Sequence, residues 1–295
     1  MDSHPITNEA KGEPISTKNT VLTTGASIVQ DFKPVKHLCA HLNAFHAYAS
    51  DPNRCVETNH YCAHLNEDVR QCILYDSPEP NARLIGIEYM ITPRLYGTLP
   101  LEERKLWHSH VFEVKSGMLI MPNPSPLPNV AWEKAEVAEM ETVVGLYGKI
   151  FHLWQTDRGD QLPLGMPQLM TSFTEAGQME AVGGFEKVVG ERDERMGGDW
   201  KRKKEERAYI EEPKVHEDAD QTWKRQLLLF QLETFNIATA LSTLYISVLL
   251  YELEEDLEAI HRTTLPTPAL KIVHNLVDLI QVIGDEGLTG SEKHR

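Results

Sequence analysis

From Arg83 to Thr92 apolar and other side chains alternate with a period of two. Ile85, Ile87, Tyr89 and Ile91 fall on one face, and Leu84, Gly86, Glu88 and Met90 on the other. That period belongs to an extended strand and not to a helix, and it suits one half-buried in an antiparallel sheet. Val69–Asp76 is a second strand-like run, joined to the first by the turn-rich Ser77-Pro-Glu-Pro-Asn81, so the two are expected to pair as neighbours. Further strands are predicted over His110–Lys115 and Met118–Met121, split by Ser116-Gly117, and over Lys149–Thr156, which ends in a turn at Asp157-Arg-Gly-Asp160.

Helices are expected around this sheet. Val35, Leu38, Leu42, Phe45 and Tyr48 recur at three and four residues, which predicts an amphipathic helix over Asp31–Ala49. A second helix or turn is predicted over Glu57–His64, a short one over Leu101–Leu106, and a Glu-rich one over Ala131–Tyr147 stopped by Gly148. Gly183–Asp220, with its run Lys201-Arg-Lys-Lys-Glu-Glu-Arg207, reads as a solvated helix and linker. Leu227–Tyr251 carries a single charge, Glu233, and is long enough to span a bilayer. Its Thr, Ser and Asn content and the acidic stretch Glu252–Glu258 instead favour a helix packed on protein. An amphipathic helix over Pro268–Ile283 would complete a hairpin. The expected fold is α+β: a mostly antiparallel sheet packed by helices, with a C-terminal helical appendage.

The polar segment Met1–Thr24 has no apolar run, so residues 1–30 are expected to be a disordered leader without a secretory signal. Four cysteines (Cys39, Cys55, Cys62, Cys72), none in a Cys-x-x-Cys pair, are then expected to be reduced thiols in a cytoplasmic protein. A net charge of −15 argues against nucleic acid and against simple electrostatic docking on anionic lipid. Gly183-Gly184 and Gly197-Gly198 lack the context of a phosphate-cradling loop.

The chemistry-bearing residues concentrate between Asn59 and Pro122. His108 and His110, two apart at the start of a predicted strand, would point to one face and reach one metal, with Glu113 brought round by a bulge. His60 and His64, four apart on a predicted helix, would meet on one side. No Glu follows His60, so this is not the His-Glu-x-x-His arrangement of zinc peptidases. The candidate metal ligands are therefore His60, His64, His108, His110 and Glu113, and the cofactor they would take is a divalent metal ion. The competing reading makes these histidines hydrogen-bonded structural residues beside Trp107. The His-x-His, Glu and Gly117 series loosely resembles the first metal motif of cupin barrels. Pro163-Leu-Gly-Met-Pro-Gln168 loosely resembles the second, with Gln168 where a histidine ligand would stand.

Several ordered strings together resemble the oil body-associated protein family. They are Asn59-His-Tyr-Cys-Ala-His-Leu-Asn-Glu-Asp68, Arg70-Gln-Cys72, Leu74-Tyr-Asp-Ser77 and Asn81-Ala-Arg-Leu-Ile-Gly-Ile-Glu-Tyr89. Trp107-His-Ser-His110, Phe112-Glu-Val-Lys-Ser-Gly117, Tyr147-Gly-Lys149, Asp157-Arg-Gly-Asp160 and Leu162-Pro-Leu-Gly165 follow. The resemblance implies a family domain over 31–223, in a fungal-type member whose residues 224–295 form a C-terminal helical extension. It also implies a cytoplasmic protein on the lipid-droplet surface or on droplet proteins, non-enzymatic, contributing to droplet formation or stability. A metal-dependent enzyme built on the histidine cluster and a cytosolic homo-oligomeric interaction protein are the alternatives.

Overall fold

A computed structural model describes residues 10–123, 129–228 and Gln231. The chain separates into two compact units, Met1–Arg225 and Gln226–Arg295, and every element below belongs to the first. Seven strands form one antiparallel sheet: β1 (Ala40–Tyr48), β2 (Asp51–His64), β3 (Val69–Tyr75), β4 (Leu84–Ile91), β5 (His108–Ser109), β6 (Tyr147–His152) and β7 (Gln168–Thr171). Their order is β4-β3-β2-β1-β7-β6-β5, and β4 pairs with β6 from Gly86↔His152 to Ile91↔Tyr147. That pairing closes β1, β2, β3, β4, β6 and β7 into a barrel, which removes the open edges of the sheet. The antiparallel sheet is as expected; its closure is not visible in the sequence pattern.

Register fixes which residues look inward. Leu42 opposes His60, Cys62 opposes Cys72, Cys72 opposes Glu88, and Glu88 opposes Ile150. One continuous inner face results, on which Leu42, Ala44, Leu74, Met90, Ile150 and Met170 are buried.

The helices are α1 (Thr17–Val29), α2 (Lys33–Lys36), α3 (Pro93–Tyr96), α4 (Leu101–Arg104), α5 (Val111–Lys115), α6 (Asn129–Val143), α7 (Phe185–Met196) and α8 (Trp200–Glu206). Met140 and Val143 of α6 join the inner apolar cluster. Phe185, Val188 and Val189 of α7 pack with Phe45 and Ala47 on the outer face of β1.

Several expectations are corrected. The helix predicted over Asp31–Ala49 is only the turn Lys33–Lys36; from Ala40 the chain is strand. The three-and-four spacing there coincides with an alternation, Leu42, Ala44, His46, Tyr48, that pairing with β2 and β7 selects. Glu57–His64 is likewise strand, part of β2. His110–Lys115 is not a strand: the chain leaves β5 after Ser109 and turns into α5. Met118–Met121 contributes a single bridge, Asn43↔Ile120. Gly148 is no helix stop but a paired residue of β6. Part of the segment read as a leader forms α1, with no buried residue.

The charged run is not simply solvated. Lys203 pairs with Glu136, and Arg207, fully buried, donates from Nη1 to the carbonyls of Val114 (3.1 Å) and Leu119 (2.9 Å). Arg192, also fully buried, donates to Asn43 Oδ1 at 2.8 Å. Nor are the thiols all free: Cys62 and Cys72 are joined in a disulfide, because the β2–β3 register sets them opposite one another with Cα atoms 4.0 Å apart. Compartment arguments from cysteine number could not see that register. Beyond Leu228 and Gln231, the stretch predicted as the C-terminal hairpin lies outside the described residues.

Candidate metal centre

Seven ionisable side chains gather on and beside the inner face: His46 of β1, His60 of β2, Glu88 of β4, His152 of β6, His108 of β5, and His110 and Glu113 at the start of α5. All are at most 3% exposed. Strand parity delivers the first four. The other three come from the break after Ser109. His110 caps α5 and Glu113 lies three residues on, so one helical turn places both on one side, with His110 Nε2 3.8 Å from Glu113 Oε2. That turn does what a bulge was expected to do. Between the two histidines, the Ser109 amide and hydroxyl both donate to the Asp220 carboxylate at 2.8 Å, which clamps the backbone.

Glu88 is the hub. Its Oε1 lies 3.5 Å from both His108 Nε2 and His110 Nε2, and its Oε2 lies 3.4 Å from His60 Nε2. From His60 a line of imidazoles continues: His60 Nε2 to His46 Nε2 at 2.9 Å, then His46 Nδ1 to His152 Nε2 at 3.1 Å. His110 Nδ1 sits 2.9 Å from the Leu146 carbonyl, which requires the proton on Nδ1 and turns Nε2 toward Glu88. The hub exists because Gly148 has no side chain: a Cβ there would lie 2.3 Å from Glu88 Oε1 and 2.6 Å from His108 Nε2.

Burial would raise the Glu88 carboxyl, but His108 and His110 more than offset it and hold it well below the usual carboxylate range. Burial likewise disfavours charge on His110, yet Glu88 and Glu113 outweigh it and raise that ring to about 9. His60, to about 4, and His152, to about 3, are lowered by burial, as is His46. Burial raises Glu113. Among the described residues two triads bring ligand atoms close enough to share an ion: His46, His60, Glu88 and Glu88, His108, His110.

Of the five sequence candidates, His60, His108, His110 and Glu113 converge. His64 does not. On a strand, four residues carry it about 13 Å past His60, to an exposed position at the end of β2. His46, Glu88 and His152 were missed. Glu88 stands in the sequence as the lone acid between Gly86 and Met90 on a strand face, which does not by itself mark it as a ligand, and His46 would have joined the inner face had Ala40–Tyr48 been read by alternation.

The space within the cluster is about 10 Å³, lined by His46, His60, Glu88, His110 and Glu113 with Leu, Met and Ala around them. A larger cavity, about 510 Å³, is elsewhere, a cleft beside Phe112, Phe185 and Trp200 that holds none of these histidines.

The family described as protein of unknown function (DUF1264) matches residues 32–211. This chain is a member of the DUF1264 family. Its relatives include oil body-associated protein 1B of Arabidopsis thaliana, 43% identical over 204 residues (69% of this chain, 80% of the relative). Oil body-associated protein 1A of Zea mays is 42% identical over 218 residues (73% and 87%), and protein 2A of Zea mays 41% over 202 (68% and 76%). No solved structure matches the chain. All seven residues of the cluster lie inside the DUF1264 region, whereas α1 precedes it.

Proposed function

We propose that this protein associates with the surface of oil bodies or lipid droplets from the cytoplasmic side and contributes to their formation or stability without catalysing a reaction. The observation that carries the reading is the kinship with oil body-associated proteins at 41–43% identity over most of their length. The non-enzymatic part is supported by the site itself. A space of about 10 Å³ accommodates one water or ion and no organic substrate, so a metal-dependent enzyme working at the cluster has no substrate room.

In this reading the association is peripheral; among the described residues no helix is long and apolar enough to cross a membrane. α1 offers a contact: Val21, Leu22, Ile28 and Val29 are 59–78% exposed. With Gly25 and Ala26 they occupy one arc of the helix, which also carries Lys18 in the first turn, opposite Thr20, Thr23 and Ser27. A family domain over 31–223, in a fungal-type member with residues 224–295 as an extension, remains part of this reading.

The test is a fluorescent fusion of the full chain in lipid-loaded cells. Rings around droplets are expected; a signal that stays diffuse would falsify the proposal. Truncation after Lys224 separates the contributions, because recruitment that survives it excludes the C-terminal segment as the anchor.

A further inference from the structure

The cluster contains two triads around one carboxylate, and their distances differ in kind. In the chain His60–His46–His152 the ring nitrogens are 2.9 and 3.1 Å apart, which is hydrogen-bonding distance. The four nitrogens that face one another are thereby partnered, and the unpartnered ones in that line are His60 Nδ1 and His152 Nδ1, each on the far side of its ring from the bonded Nε2. On the other side, Glu88 Oε1 and both ring nitrogens of His108 have no hydrogen-bond partner although they are wholly buried. Buried polar atoms are left without partners only at the cost of their hydration, and native proteins rarely do so without another use for them.

The 3.5 Å separations explain that use. They are too long for good hydrogen bonds. They match the edge of a tetrahedron around a zinc-type ion, about 3.3–3.4 Å for metal–ligand bonds of about 2.0–2.1 Å. His110 meets the second requirement of a ligand, since its Nδ1–H is held by the Leu146 carbonyl and its Nε2 faces the same oxygen as His108 Nε2.

We propose that Glu88 Oε1, His108 Nε2 and His110 Nε2 bind one divalent transition-metal ion of the zinc type, with Glu113 as the nearest carboxylate for a fourth position, in a closed structural centre. Two imidazoles and carboxylate oxygen suit zinc and its neighbours and not magnesium or calcium, which prefer all-oxygen sets. The centre is structural because it has no room for a substrate. Its effect is mechanical. β5 is two residues long and pairs with β6 only at His108↔Gly148 and Ser109↔Tyr147. The ion would bolt that weakly paired segment and the start of α5 to β4. His60, on Glu88 Oε2, orients the carboxylate from behind.

Three measurements on the purified full chain decide it. Metal content after equilibration with zinc and dialysis should be close to one ion per chain. It should fall at least tenfold in His108→Gln and in Glu88→Gln, and persist in His152→Asn, which lies at the far end of the imidazole line. A chelator should lower Tm of the unmodified protein, and zinc should restore it. Cobalt in place of zinc should give the intense visible bands of four-coordinate cobalt; this reading uses the unmodified protein, so poor folding of a variant cannot imitate a result. Stoichiometric metal that survives both His108→Gln and Glu88→Gln, or no metal and an unmoved Tm, overturns the proposal. None of these readouts involves droplets, so the centre and the droplet reading stand or fall separately.

Discussion

At the residue scale the barrel interior turns on its two glycines. Gly86 and Gly148 face inward from adjacent strands, and each leaves space that a neighbouring ring or carboxylate uses: a Cβ on Gly86 would lie 3.1 Å from His152 Cδ2 and 2.4 Å from the Phe151 carbonyl. Gly148→Ala should therefore push Glu88 and His108 apart and cost about 1–3 kcal/mol through overpacking. Gly190→Ala, in the interior of α7 with nothing within 4 Å of the new methyl, should stabilise by about 0.5–1 kcal/mol. Urea denaturation of the two variants checks both signs, and zinc uptake by Gly148→Ala should drop with its stability. His60, His108 and His110 were legible as a cluster from the start, and so were three of the four residues of the proposed centre, His108, His110 and Glu113. Their hub was not. Glu88 becomes recognisable only when β3 and β6 are known to flank β4, and those pairings join residues up to 66 positions apart, such as Glu88↔Ile150 and Gly86↔His152.

At the element scale, the order of strength runs against what charge content suggests. α8 was read as solvated because all seven residues of Lys201–Arg207 are charged; nothing in that pattern reveals that Lys203 and Arg207 point toward α6. Glu136 of α6, 1% exposed, compensates both cations. Glu136→Ala should leave two buried positive groups unpaired and cost about 3–5 kcal/mol. Arg94→Ala, which removes an exposed partner of Asp68, should cost no more than about 1 kcal/mol. Chemical denaturation of the pair measures the contrast. The β2–β3 hairpin carries a second element-level device, the Cys62–Cys72 disulfide. Replacing both cysteines by Ala should lower stability by about 2–3 kcal/mol, as expected for a bridge closing a loop of roughly this length. Mass spectrometry of the unreduced protein should find Cys62 linked to Cys72, with Cys39 and Cys55 carrying free thiols.

At the scale of the whole molecule, the strands β3 and β4 follow from local alternation and turn signals and the helix α6 from its Glu-rich composition, whereas barrel closure is a long-range event that leaves no local trace. The same division applies to the proposed droplet contact. Composition sets the electrostatics: a net charge of −15 repels an anionic surface. The exposed apolar arc of α1 needs no charge to insert, because burying each Val, Leu or Ile side chain yields about 1.5–3 kcal/mol. Binding should therefore be at least as strong to triacylglycerol droplets coated with zwitterionic phosphatidylcholine as to droplets carrying added phosphatidylserine, and raising the salt should not release it. Val21→Asp/Ile28→Asp removes two inserting side chains from a helix that touches nothing in the fold's core, so it should weaken flotation with droplets at least tenfold while leaving Tm unchanged. Flotation that grows with phosphatidylserine content and collapses in salt would instead assign the contact to a basic surface, and the apolar face of α1 would lose its role.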